Sequence, residues 1–324
     1  MMKPVLPRET MGPILRDDIP KGDDWGYQLK WDGVRALAIV QDGDVELYSR
    51  KLLRKDDKYP EVVRRLRELN GTYLLDGEIV YFDPVKQRPV FQKVLQRERT
   101  RTAATLARSS AEQPVCYVLF DLLHLGGENI RSRPYAERFR LLREAFPPRE
   151  GETALLVSDL FSDGEALWSW AEANQWEGIV SKRLSAPYRE GKHHQDAFKK
   201  RTVQRFDVDV VGVTIREGRA ASLVMVYDGG YFGRASLGLN GRSRSALDVY
   251  ASAFGGAAMP FRALPADLKR ETVAWLKRPF KLAVTGLEVT DDGLLRHPKL
   301  ADPPSLERFL AEQISGLSPA SPNP

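Results

Sequence analysis

The patterning of this 324-residue chain changes near residues 199–204, and this change limits the folds that the chain can adopt. Before it, amphipathic helical segments alternate irregularly with apolar, β-branched segments. After it, short strand-like segments dominate. A chain of this length is too long for one ordinary domain and suits two. The sequence therefore predicts two domains, at 1–201 and 202–315.

The first domain carries both strand and helix patterns. Residues 36–49 form two strand-like runs joined through Asp42-Gly43, a dipeptide typical of a hairpin turn. Apolar periodicity predicts helices at 59–70, 134–146 and 164–174, and further strands at 73–82, 115–123, 155–161 and 178–184. Few connections have the length of a βαβ unit, so we expect an α+β fold built on antiparallel sheets.

The second domain consists mostly of short strands. A turn at Asp228-Gly229-Gly230 separates two of them, and one helical segment, 245–254, interrupts the series. The predicted strands are 208–215, 222–227, 231–237 and 283–289. Short strands with one inserted helix are typical of a small β-barrel such as the OB-fold. Residues 316–324 are rich in serine and proline, and we expect them to form a disordered tail.

The charge balance suits a polyanionic partner. The formal net charge is +5, and residues 202–324 hold 15 Lys+Arg and 13 Asp+Glu, which leaves 34 and 31 for residues 1–201. The one cysteine, Cys116, excludes an internal disulfide framework and a multi-cysteine zinc site. No apolar stretch approaches the ~18 residues of a membrane span, so we expect a cytoplasmic protein that contacts no membrane.

Lys30 is the first candidate for a catalytic residue. It begins the hexapeptide Lys-Trp-Asp-Gly-Val-Arg at residues 30–35, directly after a strand-like run. A lysine there could be a covalent nucleophile. However, the pattern Lys-x-Asp-Gly fixes only three positions, and most such lysines are solvated turn residues, so the motif alone is weak evidence.

Five further segments follow Lys30 in order. They are Ser49-Arg50, Asp76-Gly77-Glu78, Phe120-Asp121, the hexapeptide Glu-Gly-Ile-Val-Ser-Lys at 177–182, and Lys199-Lys200-Arg201. Each alone has a simpler explanation, such as a solvated strand end, a core phenylalanine or a charged linker. Together they supply groups that nucleotidyl transfer requires.

Transfer of a nucleotide to a lysine sets two chemical requirements. The lysine must be deprotonated, whereas an unperturbed lysine has a pKa of about 10.4. Partial burial and nearby cations lower such a pKa, and Arg35, Arg50, Lys199 and a divalent metal ion could act in this way. Phosphoryl chemistry also needs a metal held by hard oxygen ligands, for which Glu78 and Glu177 are suited.

In kind and order, these segments resemble the motifs of the covalent nucleotidyltransferase superfamily, which contains ATP-dependent DNA ligases, RNA ligases and mRNA capping enzymes. The resemblance covers residues ~20–300 and is strongest to small bacterial ATP-dependent DNA ligases, including the ligase module of bacterial end-joining ligases. It implies an adenylyltransferase domain followed by an OB-fold domain. It also implies ATP as the AMP donor and Mg²⁺ or Mn²⁺ as the metal.

The resemblance implies a role for each site residue. Lys30 would become linked to AMP. Arg35 and Arg50 would contact ribose and phosphates, and Phe120 would stack on the adenine. The full set of implied nucleotide-binding residues is Gln28, Arg35, Arg50, Glu78, Phe120, Lys199 and Arg201, of which the last two would contact the α-phosphate. The implied metal ligands are Glu78 and Glu177.

The chain departs from the family pattern in several places. Gln28 stands where many relatives carry a glutamate that accepts from the adenine amino group, although its amide oxygen could still accept. The usual Trp-x-Lys-x-Lys is Ala-Phe-Lys-Lys-Arg at 197–201. Residues 293–298 match the start of the last motif, but its basic and acidic ending is missing, so adenylation is expected to be slow or to use a substitute such as Lys299. We also expect no preceding helical DNA-binding domain and no attached polymerase or nuclease.

The expected function is ATP-dependent sealing of 5′-phosphate/3′-hydroxyl nicks in DNA repair, through a lysyl-AMP intermediate. Nicked double-stranded DNA would be bound mainly through its phosphates, and Arg97, Arg99 and Arg101 form either a basic patch near the backbone or a solvated loop. We expect a monomer in a bacterial cytoplasm, associated with the nucleoid and with other DNA repair proteins. An RNA ligase, a guanylyltransferase and a non-catalytic OB-fold nucleic-acid-binding protein remain the alternatives.

Overall fold

The computed structural model describes residues 3–290, 292–301 and 306–315. The chain packs as two compact units, Met1–Thr202 (unit 1) and Val203–Pro324 (unit 2). The tail predicted at 316–324 and residues 302–305, where the last family motif is incomplete, lie outside the described residues. Within the described ranges, no helix has the length and apolar character needed to cross a membrane.

Unit 1 combines twelve strands with five α-helices in its described residues. The strands are β1 (Ile14–Leu15), β2 (Trp25–Leu29), β3 (Val34–Gln41), β4 (Asp44–Ser49), β5 (Thr72–Val80), β6 (Phe82–Asp83), β7 (Arg88–Pro89), β8 (Cys116–Leu125), β9 (Glu128–Asn129), β10 (Leu155–Val157), β11 (Gly178–Arg183) and β12 (Ala197–Arg201). The helices are α1 (Pro60–Arg67), α2 (Phe91–Arg99), α3 (Ala103–Glu112), α4 (Tyr135–Ala145) and α5 (Gly164–Ala173), with a short 3-10 helix at Asp56–Lys58.

Two main sheets organise unit 1. One has the strand order β1-β12-β11-β2, and the other has the order β10-β8-β5-β3-β4, with β9 beside β8. Most pairings are antiparallel, as predicted, but β1–β12 and β10–β8 are parallel. The parallel pairs join strands that are far apart in sequence. In the case of β8 and β10, the connection runs through α4 and is long enough for a crossover.

The main core of unit 1 lies between one face of the second sheet and helices α1 and α4. Val62 and Leu66 of α1 and Leu142 of α4 are fully buried against Leu47 and Leu75 of the sheet. The arginines of α1 lie on its other side, which accounts for the amphipathic pattern in the sequence. The helices α2 and α3 were not predicted, and β10 is shorter than the predicted strand at 155–161.

Unit 2 combines five strands with two α-helices in its described residues. Its elements are β13 (Gln204–Arg216), β14 (Arg219–Tyr227), β15 (Gly230–Ala235), α6 (Gly241–Phe254), a 3-10 helix at Ala266–Leu268, β16 (Thr272–Gly286), β17 (Lys299–Leu300) and α7 (Leu306–Ser315).

The strand order of unit 2 defines a small barrel. Hydrogen bonds link the strands in the order β15-β14-β13-β16-β17. A parallel bridge between Leu237 and Lys299, with a 2.9 Å bond from Leu300 N to Leu237 O, then connects the end of β15 to β17. A five-stranded barrel with this connectivity and a helix after its third strand is an OB-fold. The predicted fold class is confirmed, although β16 begins at Thr272, well before the predicted strand at 283–289.

Candidate active site

Lys30 lies where three neighbouring strands of the first sheet end. Its backbone N–H donates to Gly178 O (2.9 Å), and its Nζ donates to Glu177 Oε2 at 2.5 Å. The other carboxylate oxygen of Glu177 lies 3.2 Å from Arg201 Nη2. The Glu177 side chain is only 4% exposed and that of Lys30 is 17% exposed. Because β2, β11 and β12 are adjacent, residues distant in sequence meet here as a buried charged group.

Two glycines permit the close backbone approach that forms this group. A Cβ on Gly33 would lie 2.2 Å from the carbonyl oxygen of Ile79, so the chain after Lys30 can pass against β5 only without a side chain. Gly178 has a φ of +135°, and a Cβ there would lie 2.0 Å from Lys200 O. These contacts explain the glycines in the two hexapeptides at 30–35 and 177–182.

Arg35 is held rigidly beside the site. It pairs with Glu78 across β3 and β5, and its Nε and Nη2 donate to the Asp76 carboxylate at 2.9 and 2.6 Å. Its Nη1 donates to Met11 O at 2.6 Å. The hydroxyl of Tyr188 donates to the fully buried Asp76 at 3.0 Å. Such bidentate, charge-assisted bonds fix the guanidinium plane.

Glu78 carries a carboxylate without a bonded partner. Among the described residues it forms neither a hydrogen bond nor an ion pair, and burial raises its pKa to about 8. The negative charges of Glu177 and Asp32 act in the same direction, whereas Lys30 and Arg35 oppose the shift. A half-buried carboxylate that is bonded to no cation costs free energy, and a bound metal ion would reduce this cost.

Phe120 lies against two cations. The guanidinium carbon of Arg35 is 5.3 Å from its ring centroid, and the Nζ of Lys182 is 4.6 Å from it. Lys182 also lies 4.4 Å from the ring centroid of Tyr135 and donates to its hydroxyl at 3.2 Å. Burial lowers the pKa of Lys182 to about 7. Sequence reasoning assigned no role to Lys182, although it ends the hexapeptide at 177–182.

Gln28 is buried beside this pair of rings. It is 2% exposed, and its Oε1 lies 3.1 Å from the hydroxyl of Tyr135. The same hydroxyl lies 3.0 Å from the backbone oxygen of Phe120. Because an amide oxygen has two lone pairs, Oε1 keeps the capacity to accept a second hydrogen bond. Gln28, Phe120, Tyr135 and Lys182 therefore form one connected polar and aromatic cluster.

Lys199 and Arg201 belong to β12, which pairs with β11, and Glu177 directly precedes β11. Lys199 is partly buried, and burial lowers its pKa to about 8, with further lowering from the positive charges of Arg201 and Lys30. The backbone oxygen of Lys199 accepts from Arg16 N, which follows β1. This cluster of positive side chains beside Lys30 suits an anionic ligand.

Two of the arginines that were singled out in the sequence do not belong to the cluster of cations beside Lys30. Arg50 is exposed in the turn after β4 and forms no hydrogen bond or ion pair with the described residues. Arg97 is 2% exposed and bonds to the buried carboxylate of Glu61 at 2.8 Å. The prediction of a surface patch is therefore wrong for Arg97, which faces inward from α2. Arg99 and Arg101 are exposed.

The carboxylates of Glu78 and Glu177 suit a divalent metal ion. Both are hard oxygen donors close to Lys30. The described residues contain no group of three or more His, Cys, Asp or Glu that could hold a metal by themselves. A metal here would therefore complete its coordination with water and ligand phosphate oxygens, as is usual for Mg²⁺ at sites of phosphoryl chemistry.

Unit 1 is a two-sheet domain that holds a partly buried lysine, and a barrel of OB-fold topology follows it in the chain. This combination is an architecture of the nucleotidyltransferase type. The family model for the ATP dependent DNA ligase domain matches residues 14–200. The chain belongs to the ATP-dependent DNA ligase family, which confirms the resemblance noted in the sequence.

Relatives and solved structures agree with this assignment. The chain is 27% identical over 224 residues to the bifunctional non-homologous end joining protein LigD of Bacillus subtilis, covering 64% of this chain and 36% of that protein. It is 30% identical over 228 residues to a DNA ligase of Halobacterium salinarum, covering 68% and 40%. The structure of a mycobacterial DNA ligase D complexed with ATP and MES has 26% identity and a TM-score of 0.53, over 90% of this chain and 93% of that one. The chain thus spans about two fifths or less of these curated relatives' length.

Proposed function

We propose that this protein is an ATP-dependent DNA ligase that seals nicks through a lysyl-AMP intermediate. Lys30 Nζ attacks the α-phosphorus of ATP, and pyrophosphate leaves. The AMP then passes from Lys30 to the 5′-phosphate at a nick, which forms a pyrophosphate link. The 3′-hydroxyl attacks that 5′-phosphate, AMP leaves, and the strand is closed.

The contact between Lys30 and Glu177 is the observation that carries this proposal. A lysine inserted at 2.5 Å from a buried carboxylate, with Arg201 on the other oxygen, is a built arrangement and not a solvated turn. Lys199 and Arg201 supply positive charge where the α-phosphate would lie. Electrostatic stabilisation of this kind is the main contribution a protein makes to phosphoryl transfer.

Glu78 and Glu177 would hold a Mg²⁺ or Mn²⁺ ion. When bound, the metal would neutralise charge on the phosphates. Because Glu177 now contacts Lys30, metal binding by Glu177 would compete with this contact and would free the lysine amine. The partnerless carboxylate of Glu78 supports the assignment.

The base would occupy the cluster around Phe120. The ring of Phe120 offers an apolar face for stacking. Gln28 can accept one further hydrogen bond, and Lys182 places an ammonium group between the rings of Phe120 and Tyr135. Arg35 is bound to Asp76 and Met11, so it would contact ribose or phosphate only with its remaining N–H groups. Arg50 would have to reach the nucleotide from an exposed turn.

The two units would divide the work. Residues 1–201 would form the adenylyltransferase domain and residues 202–315 the OB-fold domain. The substrate would be nicked double-stranded DNA, bound by a monomer. The similarity to end-joining ligases suits a repair role with other repair proteins, at the nucleoid of a bacterial cytoplasm.

Labelling of the protein tests the first step. The protein is first incubated with pyrophosphate to remove any AMP it carries, and then with α-labelled ATP or GTP and Mg²⁺. We expect an acid-labile adduct with ATP that Lys30→Ala abolishes. Lys21→Ala, at a lysine that is 76% exposed, is the matched control and should label normally.

Two results would contradict the proposal. Absence of an adduct with ATP would exclude the lysyl-AMP route, and an adduct that persists in Lys30→Ala would exclude this lysine. An adduct with GTP alone would favour a guanylyltransferase. Nicked duplexes with DNA or RNA ends then decide the substrate, and sealing only of RNA ends would replace DNA ligase by RNA ligase.

A further inference from the structure

The hydroxyl of Tyr188 completes a cycle of hydrogen bonds around Arg35. This hydroxyl donates to Asp76 Oδ2 at 3.0 Å and accepts from Met11 N at 3.0 Å. Asp76 accepts two bonds from Arg35, and Arg35 donates to Met11 O at 2.6 Å. We refer to these four residues and their bonds as the Arg35 cycle. Sequence reasoning assigned no role to Tyr188 or to Met11.

Tyr188 is itself held on several sides. It is 8% exposed and packs in an apolar cluster that includes Leu37 and Leu74. Its backbone N–H donates to Arg131 O at 2.8 Å. Burial raises the pKa of its hydroxyl well above the usual range, and the negative charge of Asp76 acts in the same direction. The hydroxyl therefore stays protonated near neutral pH and remains a donor to Asp76.

The Arg35 cycle leaves two donors of Arg35 available. A guanidinium group carries five N–H groups in one plane, and three of those in Arg35 bond to Asp76 and Met11. The other two have no partner among the described residues. Because the group is planar, the three bonds also fix the directions of these two N–H groups. The guanidinium carbon lies 5.3 Å from the ring centroid of Phe120, where the base is proposed to stack.

The hydroxyl of Tyr188 restrains both sides of this ion pair. Without it, the Asp76 carboxylate loses one of its three hydrogen bonds, and the Met11 N–H loses its acceptor. The carboxylate and the guanidinium could then turn together. A ligand that bonds to Arg35 would have to order the pair on binding, and this ordering costs affinity.

A purely structural explanation also exists. Tyr188 could serve only to satisfy two polar groups, the Asp76 carboxylate and the Met11 amide. If this were its whole role, removing the hydroxyl would lower the free energy of unfolding and leave nucleotide affinity unchanged. The closure of the cycle argues for more, because Met11 binds both Tyr188 and Arg35 and so fixes one against the other.

We propose that Tyr188 is a positioning residue for the nucleotide, which acts by fixing the direction of the two N–H groups of Arg35 that remain for the ribose or phosphates of ATP. The proposal rests on the proposed function for its ligand. It adds a residue from the loop between β11 and β12 to the groups that determine ATP affinity.

The affinity for ATP tests this role in the full chain. Titration with ATP is followed by tryptophan fluorescence in Lys30→Ala, which cannot form the adduct, with and without Tyr188→Phe. We expect Tyr188→Phe to weaken ATP binding by about 3- to 10-fold, the net contribution of one hydrogen bond. In the chain that keeps Lys30, the ATP concentration for half-maximal labelling should rise by the same factor. The labelling rate at saturating ATP should change by less than about 2-fold, because a contact made equally in the ground state and the transition state affects binding alone.

A second tyrosine of the same apolar cluster provides the matched control. The hydroxyl of Tyr48 lies 3.1 Å from Glu46 Oε2 and forms no bond to the Arg35 cycle, so Tyr48→Phe should leave ATP affinity within about 2-fold of the original. Unchanged affinity in Tyr188→Phe, or equal weakening in Tyr48→Phe, would overturn the proposal. ATP binding without lysyl-AMP formation would refute the proposed function alone, whereas absence of ATP binding would overturn both.

Discussion

Replacing Arg97 by methionine is expected to lower the free energy of unfolding of unit 1 by about 3–5 kcal/mol. Arg97 and Glu61 form an ion pair in which the side chains are 1% and 5% exposed. The guanidinium also donates to Ser109 Oγ (2.9 Å), Ser110 Oγ (3.0 Å) and Gln113 O (2.9 Å). Removing it leaves the Glu61 carboxylate buried without its cation.

The size of this loss in unfolding free energy follows from the buried charge of Glu61 that has lost its partner, and a double variant tests this explanation. Breaking a buried pair by removing one partner is costly, whereas replacing both partners removes the uncompensated charge. Arg97→Met/Glu61→Gln should therefore be destabilised less than the sum of the two single variants. The difference, a coupling energy, should amount to about 1–3 kcal/mol for groups in direct contact.

Urea unfolding followed by tryptophan fluorescence provides the measurement. Five of the six tryptophans precede residue 202, so the signal reports mainly on unit 1. Arg99→Met, at an exposed position of the same helix, is the control and should change the unfolding free energy by less than about 0.5 kcal/mol. A loss below about 1 kcal/mol for Arg97→Met would refute the reasoning, as would additive losses in the double variant.

Two further predictions concern the site. Gly33→Ala should abolish lysyl-AMP formation, because its Cβ would lie 2.2 Å from Ile79 O. The control Gly241→Ala, which has open space around it, should label normally. Labelling of the Gly33 variant would contradict the steric argument. For Lys182, burial lowers the pKa from 10.5 to about 7. The unfolded chain therefore binds more protons between these pH values, and the free energy of unfolding gains a contribution that rises with pH across this window. Lys182→Met should flatten that rise in urea titrations at pH 7 and 9, and an unchanged slope would contradict the assignment.

The sequence predicted those secondary-structure elements that are determined by residues within the element or its turn. The hairpin of β3 and β4 follows from Asp42-Gly43, where both residues have positive φ values, +50° and +89°. The β16 strand was predicted too short because residues 276–279 bulge out of its pairing with β13 and break its alternation of exposed and buried residues. The parallel pairing of β8 and β10 depends on the path that the chain takes through α4 between them. No short sequence motif predicts that path.

Motif order pointed to Lys30, Glu177 and Arg201, which the fold brings together, but it did not predict the surroundings that the fold supplies. Arg97 and Arg99 look alike in sequence, but two positions along a helix turn a side chain to nearly the opposite face, so α2 buries one and exposes the other. Burial lowers the pKa of Lys182, and the rings of Phe120 and Tyr135 that contact it lie 62 and 47 positions away in sequence. A lysine at a strand end otherwise resembles any solvated lysine.

The segment before β1 has a consequence for how this domain is delimited. The family model begins at residue 14, yet the Met11 carbonyl accepts from Arg35 and the Met11 amide donates to the Tyr188 hydroxyl at 3.0 Å. A chain trimmed to the matched residues would leave Arg35 with an unmet donor beside the ring of Phe120. The boundary recognised from family resemblance therefore falls inside the physical unit, and any truncated or fused version of this protein should keep the residues from Thr10 onward intact.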